Sequence, residues 1–246
     1  DNNSKPLMYT INLKNEETCL IYSSNEDDII RTVYCSLEAN AIYFVQQKYP
    51  DNINHIMKIM VNDNQYGEPQ LIKNDFPSWV FSLSNNNLVY TKGNYNSNLF
   101  LKKINKDGEF DKNVYGKKLT KGTSKEWGIH LSSDNKMIAY KSILGKISNI
   151  FLMTLENSEI KQLTFFNNSF CGVPSFSPDS KKIAYIYLHD NEKKIHIISV
   201  KTGELLEQFD IPNTSLAQHL YWASDNNIYY LKIMHRNWGR LDISNG

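Results

Sequence analysis

Apolar residues along the chain come in short runs, bounded by clusters of Ser, Asn, Asp, Lys and Gly. No window sustains the 3.6-residue apolar period of an amphipathic helix, so helices should be few. Short β-branched and aromatic runs with turn signals between them predict an all-β chain. The runs also recur. Ser177-Pro178-Asp179-Ser180-Lys181-Lys182-Ile183-Ala184-Tyr185 has a copy at Ser132-Ser133-Asp134-Asn135-Lys136-Met137-Ile138-Ala139-Tyr140, which places Tyr140 and Tyr185 45 residues apart. Weaker copies end at Ile42-Tyr43-Phe44, Leu88-Val89-Tyr90 and Ile228-Tyr229-Tyr230.

Each copy reads as strand, polar turn, strand, loop, third strand, tight turn and fourth strand. Four strands per ~45-residue unit is the grammar of a β-propeller blade. The expected architecture is therefore one all-β propeller over residues 1–246, with four-stranded antiparallel blades whose repeats centre near residues 44, 90, 140, 185 and 230. A half-blade is expected at residues 8–22. Third-to-fourth-strand turns are expected at Asn15-Glu16, Asn62-Asp63, Lys106-Asp107-Gly108, Glu156-Asn157, Lys201-Thr202-Gly203 and Ser244-Asn245-Gly246. They outnumber the first-to-second-strand turns by one, so the chain reads as opening and closing in mid-blade. Five to six blades fit, as does an incomplete propeller or a fragment of one. The absence of an initiator methionine before Asp1 fits a processed product.

The segment Pro174-Ser175-Phe176-Ser177-Pro178-Asp179-Ser180-Lys181-Lys182-Ile183-Ala184-Tyr185 resembles the TolB-like propeller repeat, also called the WD40-like Pro-Asp repeat. The Leu119-Thr120 and Leu163-Thr164 pairs that open two units fit it as well. The resemblance implies a fold rather than a single activity. No Trp-Asp dipeptide, the mark of true WD40 repeats, is present. Within the motif, Asp134, Asp179 and Asp225 are expected to fix the first turn by accepting backbone N–H groups. Ala139 and Ala184 are expected where neighbouring blades press together, and Tyr140, Tyr185 and Tyr230 between blades.

Charge narrows the partners. The 27 Lys+Arg and 26 Asp+Glu leave a net +1, and the lysine pairs are interrupted by acidic residues. A nucleic-acid surface would need a sustained basic stripe, so no nucleic-acid partner is expected. No apolar run approaches the ~18 residues of a membrane helix. The three cysteines, Cys19, Cys35 and Cys171, lack CxxC spacing and read as buried thiols rather than metal ligands.

The sequence points away from an enzyme. It has no G-x-S-x-G, Walker, G-x-G-x-x-G or H-E-x-x-H motif, and no catalytic residue, cofactor or metal is expected. The Asn62–Gly67 stretch reads as a hairpin, not a calcium loop, because Tyr66 stands where an oxygen ligand is needed. His196 alternates within an apolar strand and reads as packed. The candidate binding residues are Phe76, Trp79, Trp127, His130, Phe170, His219 and Tyr221, read as lying near the starts of innermost strands, where they would ring a channel mouth. The competing reading is interblade packing. Asp75, Glu126, Asp190 and Asp210 are rim carboxylates, and a glycosidase pair would need to stand ~5–9.5 Å apart.

The leading expectation is a non-catalytic scaffold that binds a protein or cell-envelope component at its channel face, with a peptide or glycan as further ligand classes. Similarity to TolB-like proteins implies an extracytoplasmic location, in the periplasm or at the cell surface; a cytoplasmic one remains open. The alternatives are the gating propeller of a larger prolyl-oligopeptidase-like serine peptidase, or a glycan-active propeller of the oligogalacturonate lyase type.

Overall fold

The computed structural model describes residues 7–11, 18–25, 28–36, 40–48, 51–62, 65–78, 80–84, 87–92, 97–104, 116–190, 192–211, 215–223, 227–232 and 238–243. Among these residues all regular structure is β, in 23 strands and no helix. The chain divides into two compact units, residues 1–90 with 101–117, and residues 91–100 with 118–246.

In the first unit, β1 (Leu7–Ile11) and β2 (Thr18–Ser23) form an antiparallel hairpin. The next sheet holds β3 (Ile29–Ser36), β4 (Ala41–Lys48), β5 (Ile53–Asn62), β6 (Gln65–Tyr66) and β7 (Gln70–Lys73), with β6 and β7 both on β5. The run Ala41-Ile42-Tyr43-Phe44-Val45 is buried throughout, because β4 lies between two partners and is covered on both faces. Met8 of the hairpin packs with Ile42, Phe44 and Ile59. A four-stranded sheet follows, with β8 (Phe81–Ser84), β9 (Asn87–Lys92), β10 (Asn98–Lys103) and β11 (Lys117–Lys118) in sequence order. The boundary between the units runs through it.

The second unit repeats the blade grammar. One sheet runs β12 (Lys125–Leu131), β13 (Met137–Leu144), β14 (Ile147–Thr154), β15 (Ile160–Gln162). In the next, the innermost strand is split into β16 (Phe170–Cys171) and β17 (Ser175–Phe176). Both pieces pair with β18 (Lys182–His189), followed by β19 (Glu192–Ser199) and β20 (Leu205–Asp210). The last described sheet is β21 (Ser215–Trp222), β22 (Asn227–Lys232) and β23 (Trp238–Asp242).

The repeat motif has a structural cause. Asp179 Oδ1 accepts the Ser177 hydroxyl at 2.6 Å and the Lys181 N–H at 3.1 Å, while Ser177 Oγ accepts the Lys182 N–H at 2.9 Å. Asp134, Ser132, Lys136 and Met137 repeat the same three bonds at 2.6, 3.1 and 2.9 Å. The bonds hold the left-handed residues Ser180 (φ 59°) and Asn135 (φ 58°). Asp225 lies outside the described residues. The Leu-Thr pairs close the outer edge of their sheets. Thr164 Oγ1 accepts the Ile150 N–H at 2.8 Å, and Thr120 Oγ1 accepts the Leu99 N–H at 2.9 Å.

Core residues from adjacent sheets interlock. Ala139, Ile150, Cys171, Phe176, Ile183 and Tyr185 belong to one buried cluster. Ala184, Ile186, Trp222, Ile228 and Tyr230 belong to another. The uniform expectation of buried thiols fails: Cys171 is buried, but Cys19 and Cys35 are exposed. They sit on β2 and β3, whose described residues are largely solvent-facing.

Candidate functional site

The seven predicted binding residues separate. Phe76 is 4% exposed, with its ring 5.2 Å from that of Tyr90 and 6.5 Å from that of Phe81. It is a packing residue in this structure. Trp79 lies outside the described residues, as does the side chain of His219, whose backbone is in β21. Tyr221 stands 55% exposed near the end of β21, not at its start. His130 likewise lies near the end of β12. Its Nδ1 accepts the Phe176 N–H at 3.1 Å, and burial holds its pKa down to about 4, so the ring is neutral and pins two innermost strands together.

Trp127 and Phe170 are brought together, and what unites them is a residue that the sequence did not single out. Trp127 pairs with Lys141 across the β12–β13 ladder. Lys141 is 0% exposed, and its Nζ stands 4.7 Å from the centre of the Trp127 ring and 4.5 Å from that of Phe170. Nζ has no hydrogen-bond partner among the described residues. Burial lowers the amine from 10.5 to about 8, with Cys171 opposing and Lys125 adding to the shift. Burial also pushes the Cys171 thiol up to about 11, against its hydrogen bond with Ser148 Oγ, to which the thiol donates at 3.3 Å, and the nearby Lys141. At neutral pH the pair is therefore mostly an ammonium beside an uncharged thiol.

Burying an ammonium costs several kcal/mol. Each cation–π contact returns up to about 2 kcal/mol when desolvated. Two rings thus offset much of the cost and leave three N–H donors unmatched. The fold does not require a cation there. The equivalent repeat positions hold Val45, Thr91, Ile186 and Leu231, and Val45 and Ile186 are as deeply buried. That break in the internal repeat is the signal through which sequence alone could have found Lys141.

Neighbouring polar groups shape the same end. Ser169, just before Phe170, has its Oγ 3.1 Å from the Tyr187 hydroxyl and 3.2 Å from His189 Nδ1. Tyr187 stacks on His196 at 4.5 Å. His196 is 8% exposed, the packed histidine expected. Glu126, adjacent to Trp127, points to the other face of the sheet by strand alternation. There Ser124 and Ser142 donate to its Oε1 at 2.8 and 3.5 Å, and burial raises its carboxyl. It is no counter-ion for Lys141. Asp190 and Asp210, the other predicted rim carboxylates of this unit, have side chains 87% and 88% exposed. This end of the sheet also exposes apolar residues: Leu144, at the β13–β14 hairpin, is 69% exposed and Phe165, before β16, is 78% exposed.

No family model matches the chain, and no curated protein matches it. Solved structures do. TolB from Acinetobacter baumannii has TM-score 0.68 and 16% identity, over 96% of this chain and 59% of that one. A putative TolB from Agrobacterium tumefaciens has TM-score 0.63 and 17% identity, over 89% of this chain and 80% of that one. A protein in a nidogen/laminin complex has TM-score 0.70 and 11% identity, over 98% and 87%. Enzymes share the fold too: a puromycin hydrolase (TM-score 0.63, 13% identity, 89% and 36%) and an oligogalacturonate lyase from Vibrio parahaemolyticus (0.58, 15%, 95% and 70%). At such identities the likeness establishes the fold. The chain is an all-β propeller with five blades of the four-stranded type, which narrows the five to six expected from the repeat. It spans 59% of the length of the Acinetobacter TolB.

Proposed function

We propose that the chain is a non-catalytic binding propeller that docks a protein or cell-envelope component outside the cytoplasm, at the end where its innermost strands begin. One observation carries this reading. In the second unit that end gathers Trp127, Phe170 and the hydrogen-bond-free Lys141, and exposes Leu144 and Phe165. Aromatic anchors with a cation beside exposed apolar groups form the chemistry of a protein-binding surface. The TolB likeness and the presence of a similar fold in a nidogen/laminin complex support a binding role.

The test is capture from envelope and cytosolic fractions with wild type and with a Leu144→Asp/Phe165→Asp double variant. A specific envelope partner retained by wild type and lost by the variant is the expected result. Wild type that captures no partner while the native product turns over a substrate overturns the proposal.

A second reading is the propeller domain of a larger peptidase. It is favoured by the puromycin hydrolase match, which covers 89% of this chain and only 36% of that one. The intact mass of the native product decides between them. A product near 28.5 kDa fits a stand-alone scaffold, and one larger by roughly 25–30 kDa, an extra domain at the upper end of the usual size range, fits the peptidase.

A further inference from the structure

We infer that the Lys141 ammonium, between Trp127 and Phe170, is the seat of a carboxylate carried by the docked partner. The inference rests on the docking reading above and adds the chemistry that the partner must present.

Four observations lead to it. Nζ is enclosed in a residue with 0% exposure and has no hydrogen-bond acceptor among the described residues. The sheet does not need the charge, since the equivalent positions are Val45, Thr91, Ile186 and Leu231. No carboxylate of the described residues serves it: Glu126 faces the other side of the sheet and bonds to Ser124 and Ser142. A second cation, Lys125 Nζ, lies 5.8 Å from the centre of the same Trp127 ring, so the local field favours an anion.

The walls select the kind of anion. Trp127 and Phe170 are only partly buried, so displacement of one of these rings is the route by which a ligand would reach Nζ. An ammonium flanked by two aromatic rings suits a planar monoanion, which would satisfy it with one ion pair and lay its apolar remainder against the rings. A tetrahedral phosphate would bring several charged oxygens to a place with one buried donor group. The carboxylate has two protein sources, the C-terminus of a polypeptide or a Glu or Asp side chain.

The test uses the whole protein and follows tryptophan emission. The probes are acetate, an acetylated Gly-Phe dipeptide with a free C-terminal carboxylate, an acetylated Glu-Phe dipeptide amide, an acetylated Gly-Phe amide and inorganic phosphate. The expected result is a saturable change with the carboxylate probes, silence from the neutral amide and phosphate, and affinity weakened at least about tenfold in Lys141→Met. Trp127→Phe should remove the signal, which assigns it to this site. The stronger dipeptide identifies the source of the carboxylate. An unchanged response in Lys141→Met, or no saturable response in a wild type whose folding is confirmed by circular dichroism, overturns the inference. The outcomes separate from those of the docking test. Carboxylate binding without a captured partner removes the docking reading and leaves the site, whereas a partner held equally by wild type and Lys141→Met does the reverse.

Discussion

Replacing Lys141 by methionine should cost the protein little or no stability at neutral pH, despite removing a buried side chain's charge. Methionine keeps the length and apolar stem of lysine and removes the charge. In the folded protein the amine titrates at about 8 instead of 10.5. A difference of this size corresponds to about 3 kcal/mol at 1.36 kcal/mol per pKa unit. Because the folded pKa is lowered, the unfolded state holds the proton more tightly. The penalty is fully present below pH 8 and is relieved as pH rises from 8 towards 10.5. The cation–π contacts to Trp127 and Phe170 act in the opposite direction, at about 0.5–2 kcal/mol each. At pH 7 the variant should therefore range from about equal to wild type to about 2 kcal/mol more stable, and the balance should move against the variant by about 1 kcal/mol between pH 7 and 9. Urea denaturation of both proteins at the two pH values reads this directly. The comparison cancels the groups that do not sense Lys141; Cys171 does sense it, and loss of the ammonium moves the thiol further up, away from the pH 7–9 window. A variant less stable than wild type by more than about 1 kcal/mol at pH 7, or a difference independent of pH, would refute the reasoning, because Lys141 would then have an acceptor that balances its burial.

Other changes test the frame around the site. Asp179→Ala removes two acceptor contacts at the repeat turn and should cost about 1–2 kcal/mol, with Asp179→Asn losing less, by urea denaturation. Its carboxyl is held below the ordinary value by the Ser177 hydroxyl and the Lys181 N–H, so the benefit is present above pH 3.8 and lost as pH falls through the folded value. Gly128→Ala should destabilise by about 1–3 kcal/mol in the same assay, since the residue has φ +62° and a Cβ would stand 2.7 Å from Val173 Cγ2. His130 and His196 are both held down to about 4 by burial, so the unfolded state binds their protons first. Thermal stability should fall as pH drops from 6.5 to 4, and a His130→Gln/His196→Gln double variant should show a shallower fall.

What sequence reading could reach was set by the range of each interaction. The turn chemistry of Ser177-Pro178-Asp179 and Ser132-Ser133-Asp134 closes within six residues, so the pattern contains its own explanation. The tight turn at Lys201-Thr202-Gly203 is equally local, with Gly203 at φ +82° and a Cβ position only 2.6 Å from the Leu163 carbonyl. Trp127, by contrast, reads as one aromatic among many until the ladder sets it opposite Lys141 and the next sheet adds Phe170 from 43 residues further along the sequence. Lys141 itself follows Tyr140 and precedes Ser142, so simple alternation passes it as a polar residue on a solvent face. Burial of both faces of β13 by neighbouring sheets reverses that reading. His130 falls later in its strand than the pattern suggests for a related reason: the repeat locates the turn at Ser132-Asp134 firmly, but says little about how far the innermost strand extends before it.

The two ends of the innermost strands differ in how they are held, and the difference bears on binding. At the turn end, the Phe176 N–H reaches His130, the Ser133 N–H reaches Ser180 Oγ, and the Trp222 N–H reaches Ser175 Oγ, so adjacent blades are tied by bonds between them. Further along, both ladders are interrupted. The β12–β13 register shifts between Trp127 and His130 around left-handed Gly128. The next innermost strand breaks between Cys171 and Ser175, and Val173 from that break packs against Gly128. A bulge re-aims the side chains beyond it and shifts the register of the pairing that resumes there. Trp127 and Phe170 both lie beyond these interruptions, turned onto Lys141 rather than continuing the stacking of the core. The left-handed backbone at Gly128 thus has a use that the repeat motif cannot supply. It shifts the register between the strand starts and the turn end while both stay paired to the next strand, and it sets Trp127 and Phe170 beside the one hydrogen-bond-free buried cation of the described residues.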